Sequence, residues 1–185
     1  YLLEAVAKLR TEREIHLTII GKPRAGASAD LIESLGLADC ITYVSDVSDE
    51  RIVELYAEST LAVVPSLYEG FSLPSIEAMS TGVCLVATTG GALPEVTGRD
   101  GETVLSCAPG DSDALAAAIR RGLDSAELRN RIGAAGRQRV VERWSWRHCA
   151  SLTVDQYREV LQMPHNVEKL RRRLATRGVA DESAR

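Results

Sequence analysis

The chain has 185 residues, 45% of them hydrophobic with one Phe and two Trp, and a formal net charge of −4. Most of its apolar surface can be buried in one domain, and with so few aromatics the expected core is aliphatic, as in a helix-covered parallel sheet. No apolar run approaches the roughly 20 residues needed to cross a bilayer, and no leader-like segment opens the chain.

The first stretch, YLLEAVAKLR, is an amphipathic helical pattern with neither an initiating Met nor a cap before it, so the chain is expected to be a piece of a longer protein. Apolar runs then alternate with helix-like ones: IHLTIIG, ADLIESLGL, CITYV, SDERIVELYAES, TLAVVPS, PSIEAMSTG, VCLVAT, a short GGALPEV, ETVLS and SDALAAAIRRGL. Short strands separated by helices predict βαβ crossovers. Five strands are expected near residues 15–20, 40–44, 60–64, 83–87 and 102–105. The predicted class is α/β, a Rossmann-like parallel sheet with helices on both faces and one core. Helices follow through AELRNRIGAAGRQRVVERW and WRHCASLTVDQYREVLQM, with Pro164 ending the run.

From His165 onward six basic side chains face three acidic ones, a balance of +3 that leaves the body at −7 and argues against a nucleic-acid partner. The division expected is a Rossmann-like domain over 1–162 and a basic tail over 163–185. Val167, Leu170 and Leu174 would share one helical face of that tail, which suits a peripheral membrane contact; a solvated terminal helix is the plainer reading. Cys40, Cys84, Cys107 and Cys149 form no C-x-x-C pair and sit in or beside apolar runs, as buried free thiols do in a reducing compartment, so the expected location is cytoplasmic. His16, His148 and His165 do not cluster with them, and no metal is expected.

Two motifs are decoys. GKPRAGAS, residues 21–28, has the Gly21 to Gly26 spacing of a P-loop, but Ala27 stands where the phosphate-binding lysine belongs. Asp111-Ser112-Asp113 has a metal-binding D-x-D form but directly precedes a helix, where it is read as a cap.

The informative stretch is SLYEGFSLPSIE, residues 66–77, the loop leaving the third strand. Pro74 suits a first helical turn. Amides of Gly70, Phe71, Ser72 and Leu73 beside a helix N-terminus would attract a diphosphate, and Gly70 lets a ligand approach the backbone. Carboxylates match pairs of sugar hydroxyls. Glu69 and Glu77 could therefore grip a sugar and a ribose on either side of that diphosphate, while the plainer reading makes Glu77 a dipole-favoured helix residue and Glu69 a wet loop residue.

VVPSLYEGFSLPSIEAMSTGVCLVATTGGALPEV closely resembles the carboxyl-terminal half of glycosyltransferase family 4 (group 1) enzymes of GT-B architecture. The likeness rests on Pro65-Ser66, on Glu69 and Glu77 with seven residues between them, and on Gly90-Gly91 followed by Pro94-Glu95; it covers roughly residues 1–160. It implies retaining, metal-independent transfer of a hexosyl group from a nucleoside-diphosphate sugar to a glycan or lipid-linked acceptor. Glu69 is then the catalytic candidate at the donor sugar, Glu77 the ribose ligand, and Phe71 to Leu73 the loop on diphosphate and sugar. By the same resemblance Tyr43 and Val44 lie against the base, Gly21 and Lys22 face the phosphates, and no further cofactor is needed. The turn Lys22-Pro23-Arg24 departs from the family's glycine-rich, acidic one, and Ser45 replaces its more typical glycine. The resemblance also implies partners before Tyr1: an acceptor-binding domain, and a strand carrying Arg and Lys between the strands at 15–20 and 60–64. This chain alone is then expected to be inactive, with unpaired strand edges there or a substitute strand. The rivals are a glycosidase using the two glutamates, a nucleotide-sugar epimerase of related fold, and a non-catalytic nucleotide-binding module.

Overall fold

The structure is a computed structural model that describes residues 1–23, 25–163, 165–169 and 171–173. Arg24, the Pro164 stop, and Leu170 and Leu174 of the tail lie outside the described residues. The chain forms two compact units, Tyr1–Val141 and a second starting at Glu142.

In chain order the elements are α1 Leu2–Arg10, β1 Leu17–Ile20, α2 Ala27–Ser34, β2 Ile41–Val44, α3 Asp49–Glu58, β3 Ala62–Val64, α4 Leu73–Thr81, β4 Leu85–Thr88, α5 Leu93–Thr97, β5 Leu105–Cys107, α6 Ser112–Asp124, α7 Ala126–Arg143 and α8 Trp146–Gln162. The class is α/β, with parallel strands flanked by helices, as the alternation of apolar runs predicts. β1 pairs with β2, with Leu17 opposite Ile41 and Ile20 opposite Val44. β4 lies between β3 and β5, with Val86 opposite both Val63 and Leu105. All four β4 residues are buried, as a strand covered on both faces requires.

Two sequence expectations shift. β5 begins at Leu105, not near residue 102, because Gly101 N–H donates to Val104 O and Ser106 N–H donates to Asp100 Oδ1, so a turn consumes the first residues of ETVLS. The single expected core is divided. One cluster gathers Ala5, Leu9, Val86, Leu105, Leu115 and Ile119 between α1, α6 and the β3–β4–β5 sheet. Another packs Val6, Leu37 and Cys40 against Leu17, Ile32 and Ile41 around β1 and β2. Successive residues of α1 therefore serve different cores, Ala5 and Leu9 facing one and Val6 the other. β1 and β3 belong to different sheets.

α7 packs directly on the α4–β4 turn: a Cβ on Gly133 would fall within 2.0 Å of Gly82 O, and the Arg137 guanidinium donates to Ser80 O. Cys40, Cys84 and Cys107 are buried free thiols, while Cys149 is only partly buried. In the second unit Ser145 Oγ caps α8 by accepting from His148 N–H at 3.3 Å. α8 has no buried residue; Trp146 and Tyr157 are exposed. Among the described residues no helix is long and apolar enough to cross a membrane.

Candidate functional site

The segment that follows β3 is built by its neighbour, the turn after β4. Thr88 on the middle strand is buried, and its hydroxyl donates to Ser66 O at 2.5 Å. Ala92 N–H donates to Glu69 O at 2.8 Å, and Glu69 and Gly91 form a parallel bridge. The backbones meet so closely that no side chain fits between them. A Cβ on Gly90 would lie 2.3 Å from Leu67 O, and one on Gly91, where φ is 64°, would lie 2.4 Å from Glu69 O. The Gly90-Gly91 pair is a steric requirement for this approach.

Held in this way, the loop presents several apolar side chains outward. Leu67, Tyr68, Phe71 and Leu73 are exposed, and Gly70 would admit a Cβ with no atom within 4 Å. The helix that follows starts with Pro74 in its first turn and has no side-chain cap. Ser72, its N-cap residue, is buried and uses its hydroxyl on Ser75 Oγ at 2.9 Å. An α4 start without a side-chain cap, beside an open loop, can offer amides to an anion.

The two glutamates flank this feature differently. Half-buried Glu69 has its Oε1 accepting from Ser66 Oγ at 2.7 Å, so its carboxylate is oriented and not a wet loop group. Glu77 is exposed and lies past the first turn of α4, which contains no acidic residue, so the helix dipole does not account for it. Its neighbour is Tyr56 on α3, whose phenol pKa is raised by burial and, secondarily, by the negative charge of Glu77.

Gly21, Lys22, Tyr43 and Val44 belong to the other sheet. Tyr43 and Val44 pair with Ile19 and Ile20, and Gly21 N–H continues the ladder to Val44 O at 2.8 Å. Gly21 has φ of 145° with open space where a side chain would be. Lys22 Nζ pairs with Asp46 Oδ2 at 3.0 Å, and both side chains are about 70% exposed, so the ammonium is held weakly and can be recruited elsewhere. The sequence candidates thus form two groups: Glu69 to Leu73 with Glu77 around one loop and helix, and the four residues at the ends of β1 and β2.

The D-x-D decoy is structural. Asp111 Oδ1 accepts from Asp113 N–H and Ala114 N–H at 2.9 and 2.8 Å, and Asp113 pairs with Lys8 at 2.6 Å. Among the described residues no group of three or more His, Cys, Asp and Glu is placed to hold a metal. Two surface depressions, of about 350 Å³ beside Arg13, His16 and Asp39 and about 210 Å³ beside Ser59, Gly82 and Arg129, open at the amino ends of the strands and contain none of the candidates. Sequence reading missed the part played by Thr88, whose one signal is a hydroxyl ending an otherwise apolar strand just before two glycines.

A family model described as glycosyl transferases group 1 matches residues 1–139. The chain belongs to that family. It is 44% identical over 162 residues to MMP alpha-(1->4)-mannosyltransferase of Mycolicibacterium hassiacum, covering 87% of this chain and 39% of that protein. It is 35% identical over 161 residues to O-antigen chain mannosyltransferase B of Escherichia coli, covering 85% and 41%. The solved sucrose-phosphate synthase of Thermosynechococcus elongatus superposes with a TM-score of 0.76 at 29% identity, covering 86% of this chain and 42% of that one. The chain thus spans about two fifths of the length of these group 1 relatives. Its fold corresponds to part of a GT-B enzyme.

Proposed function

We propose that this chain is the donor-binding half of a retaining, metal-independent glycosyltransferase that moves a hexosyl group from a nucleoside-diphosphate sugar to a glycan or lipid-linked acceptor. The observation that carries the reading is the clasped loop after β3, with an oriented Glu69 on one side, an open α4 start at its end and an exposed Glu77 one turn further on. The amides of Phe71, Ser72 and Leu73 take the diphosphate, with Gly70 letting it approach. Glu77 accepts from the ribose diol, and Glu69 accepts from hydroxyls of the hexose and steadies positive charge developing at its reacting carbon. Tyr43 and Val44 lie toward the base, and Gly21 and Lys22 toward the phosphates, where a diphosphate would draw Lys22 away from Asp46.

The metal-independent reading is supported by the use of Asp111 as a cap and of Asp113 in an ion pair. Two relatives named as mannosyltransferases favour mannose as the hexose. Acceptor binding and neutralisation of the departing diphosphate are assigned to partner segments of the longer protein, so this chain binds donor without turning it over. The setting favoured by three buried free thiols is the cytoplasm. Calorimetric titration with UDP, GDP and ADP and with their hexose esters tests the reading. Saturable binding of one nucleotide, tighter with its sugar attached, is expected; no binding of any of them would refute it.

A further inference from the structure

We infer that Ser66 is the positioning residue for Glu69, and that through it the middle strand of the sheet sets the orientation of the bound hexose. The inference rests on the proposed role of Glu69 at the donor sugar and adds the group that makes that role specific.

A glutamate has three rotatable side-chain bonds, and at a half-exposed loop position nothing in its covalent structure selects one direction. Here Ser66 Oγ, 2.7 Å from Glu69 Oε1, supplies the selection. The hydroxyl donates one proton to the carboxylate, a charge-assisted bond, and leaves Oε2 and the remaining lone pairs for sugar hydroxyls.

Ser66 can do this because it is itself fixed. Its carbonyl accepts from the hydroxyl of Thr88, which is 3% exposed on a strand buried at all four positions. The far end of the same short segment is fixed by the Ala92 N–H bond to Glu69 O and by the contact that only glycine allows at Gly91. Both backbone ends of the Ser66 to Glu69 segment are thus tied to the β4 side, and the one remaining freedom, the Glu69 side chain, is removed by Ser66. A bond serving only to stabilise the turn would affect every ligand equally. A positioning bond affects only ligands that carry the hexose.

The test compares wild type, Ser66→Ala, Ser66→Thr and Glu69→Gln by calorimetry with UDP and UDP-glucose, and with GDP and GDP-mannose. Ser66→Ala should weaken the sugar nucleotide roughly tenfold and leave the bare diphosphate unchanged, and Ser66→Thr, which keeps the hydroxyl, should restore most of the loss. Ser66→Cys keeps the volume with a weaker donor and replaces the alanine variant should that one fail to fold. Equal weakening of both ligands, or of neither, in a folded variant overturns the inference. If Glu69→Gln is also without effect on the sugar nucleotide, the proposed role of Glu69 falls, and this inference with it. A crystal structure of Ser66→Ala should show the Glu69 carboxylate displaced or in several rotamers; an unmoved carboxylate contradicts the positioning role.

Discussion

Gly90→Ala and Gly70→Ala replace the same residue type by the same side chain, and the structure assigns them opposite consequences. Gly90 is buried and does not have positive φ, so backbone conformation does not forbid alanine there. The obstacle is contact: the new Cβ would stand 2.3 Å from Leu67 O, 2.8 Å from Leu67 C and 3.2 Å from Ser66 O. These are backbone atoms, and Ser66 O is held by Thr88, so relief requires displacing the Ser66–Leu67 backbone, and overpacking of this kind costs about 1–3 kcal/mol. For a domain of this size that is a fall in Tm of roughly 2–12 °C. The displaced residues carry the Ser66–Glu69 bond, so sugar-nucleotide affinity should fall as well. Gly70 also lacks positive φ and has no atom within 4 Å of the added carbon. Its alanine variant should be as stable as wild type, or gain about 0.4–1 kcal/mol from a less flexible unfolded chain, yet bind donor more weakly because the methyl stands where the ligand approaches. Urea unfolding of the three proteins, followed by calorimetry with the preferred sugar nucleotide, reads both effects. A Gly90→Ala variant as stable as wild type, or a Gly70→Ala variant that is destabilised but binds normally, would refute the reasoning.

Glu77→Gln should weaken the bare nucleoside diphosphate and its sugar ester by a similar factor, because the ribose is common to both, and calorimetry distinguishes this from a sugar-specific loss. In the full-length enzyme, Glu69→Gln should lower kcat more than it raises the donor KM. Asp46→Asn keeps a residue that tolerates the φ of 57° at that position and releases Lys22, so nucleoside-diphosphate affinity at low salt should rise a few-fold; a fall would remove Lys22 from the phosphate site. Burial raises the Cys84 thiol to about 11 from an ordinary 9.0, opposed by the nearby Arg129 charge. Between those pH values the unfolded chain releases this proton and the folded one keeps it, so stability falls as pH rises, by about 3 kcal/mol at most from this group. Urea unfolding at pH 8 and pH 10.5 should show a smaller loss for Cys84→Ala than for wild type, and equal losses would contradict the assignment. Cys107, raised in the same direction by burial, contributes a further loss common to both proteins.

The alternation of aliphatic runs with amphipathic ones is enough to count five parallel strands and to place four of them, because short β-rich runs and amphipathic helices impose different periods on a sequence. Pro74 and Asp111 marked helix starts by local chemistry, and each stands where expected. What was not legible depends on contacts between distant residues. Nothing in ETVLS announces that Asp100 and Gly101 bend its first residues into a turn. The bond from Thr88 to Ser66 joins residues 22 apart, and no spacing rule announces it. The direction of the Glu69 carboxylate is not legible in the sequence, because its orienting partner is a serine three residues earlier, a spacing shared by many unremarkable turns. Glu77 was readable as a helix-dipole residue only while the first turn of α4 was undefined; with the helix starting at Leu73, its neighbour is Tyr56.

The central claim, that the segment leaving β3 receives the diphosphate of a nucleotide sugar, is tested most directly by amide resonances. Titration of ¹⁵N-labelled chain with the preferred nucleoside diphosphate should shift the signals of Gly70, Phe71, Ser72 and Leu73 most, with smaller shifts at Gly21 and Lys22. Shifts centred on the depression beside Arg13, His16 and Asp39, with the Gly70 to Leu73 amides unmoved at saturation, would contradict it.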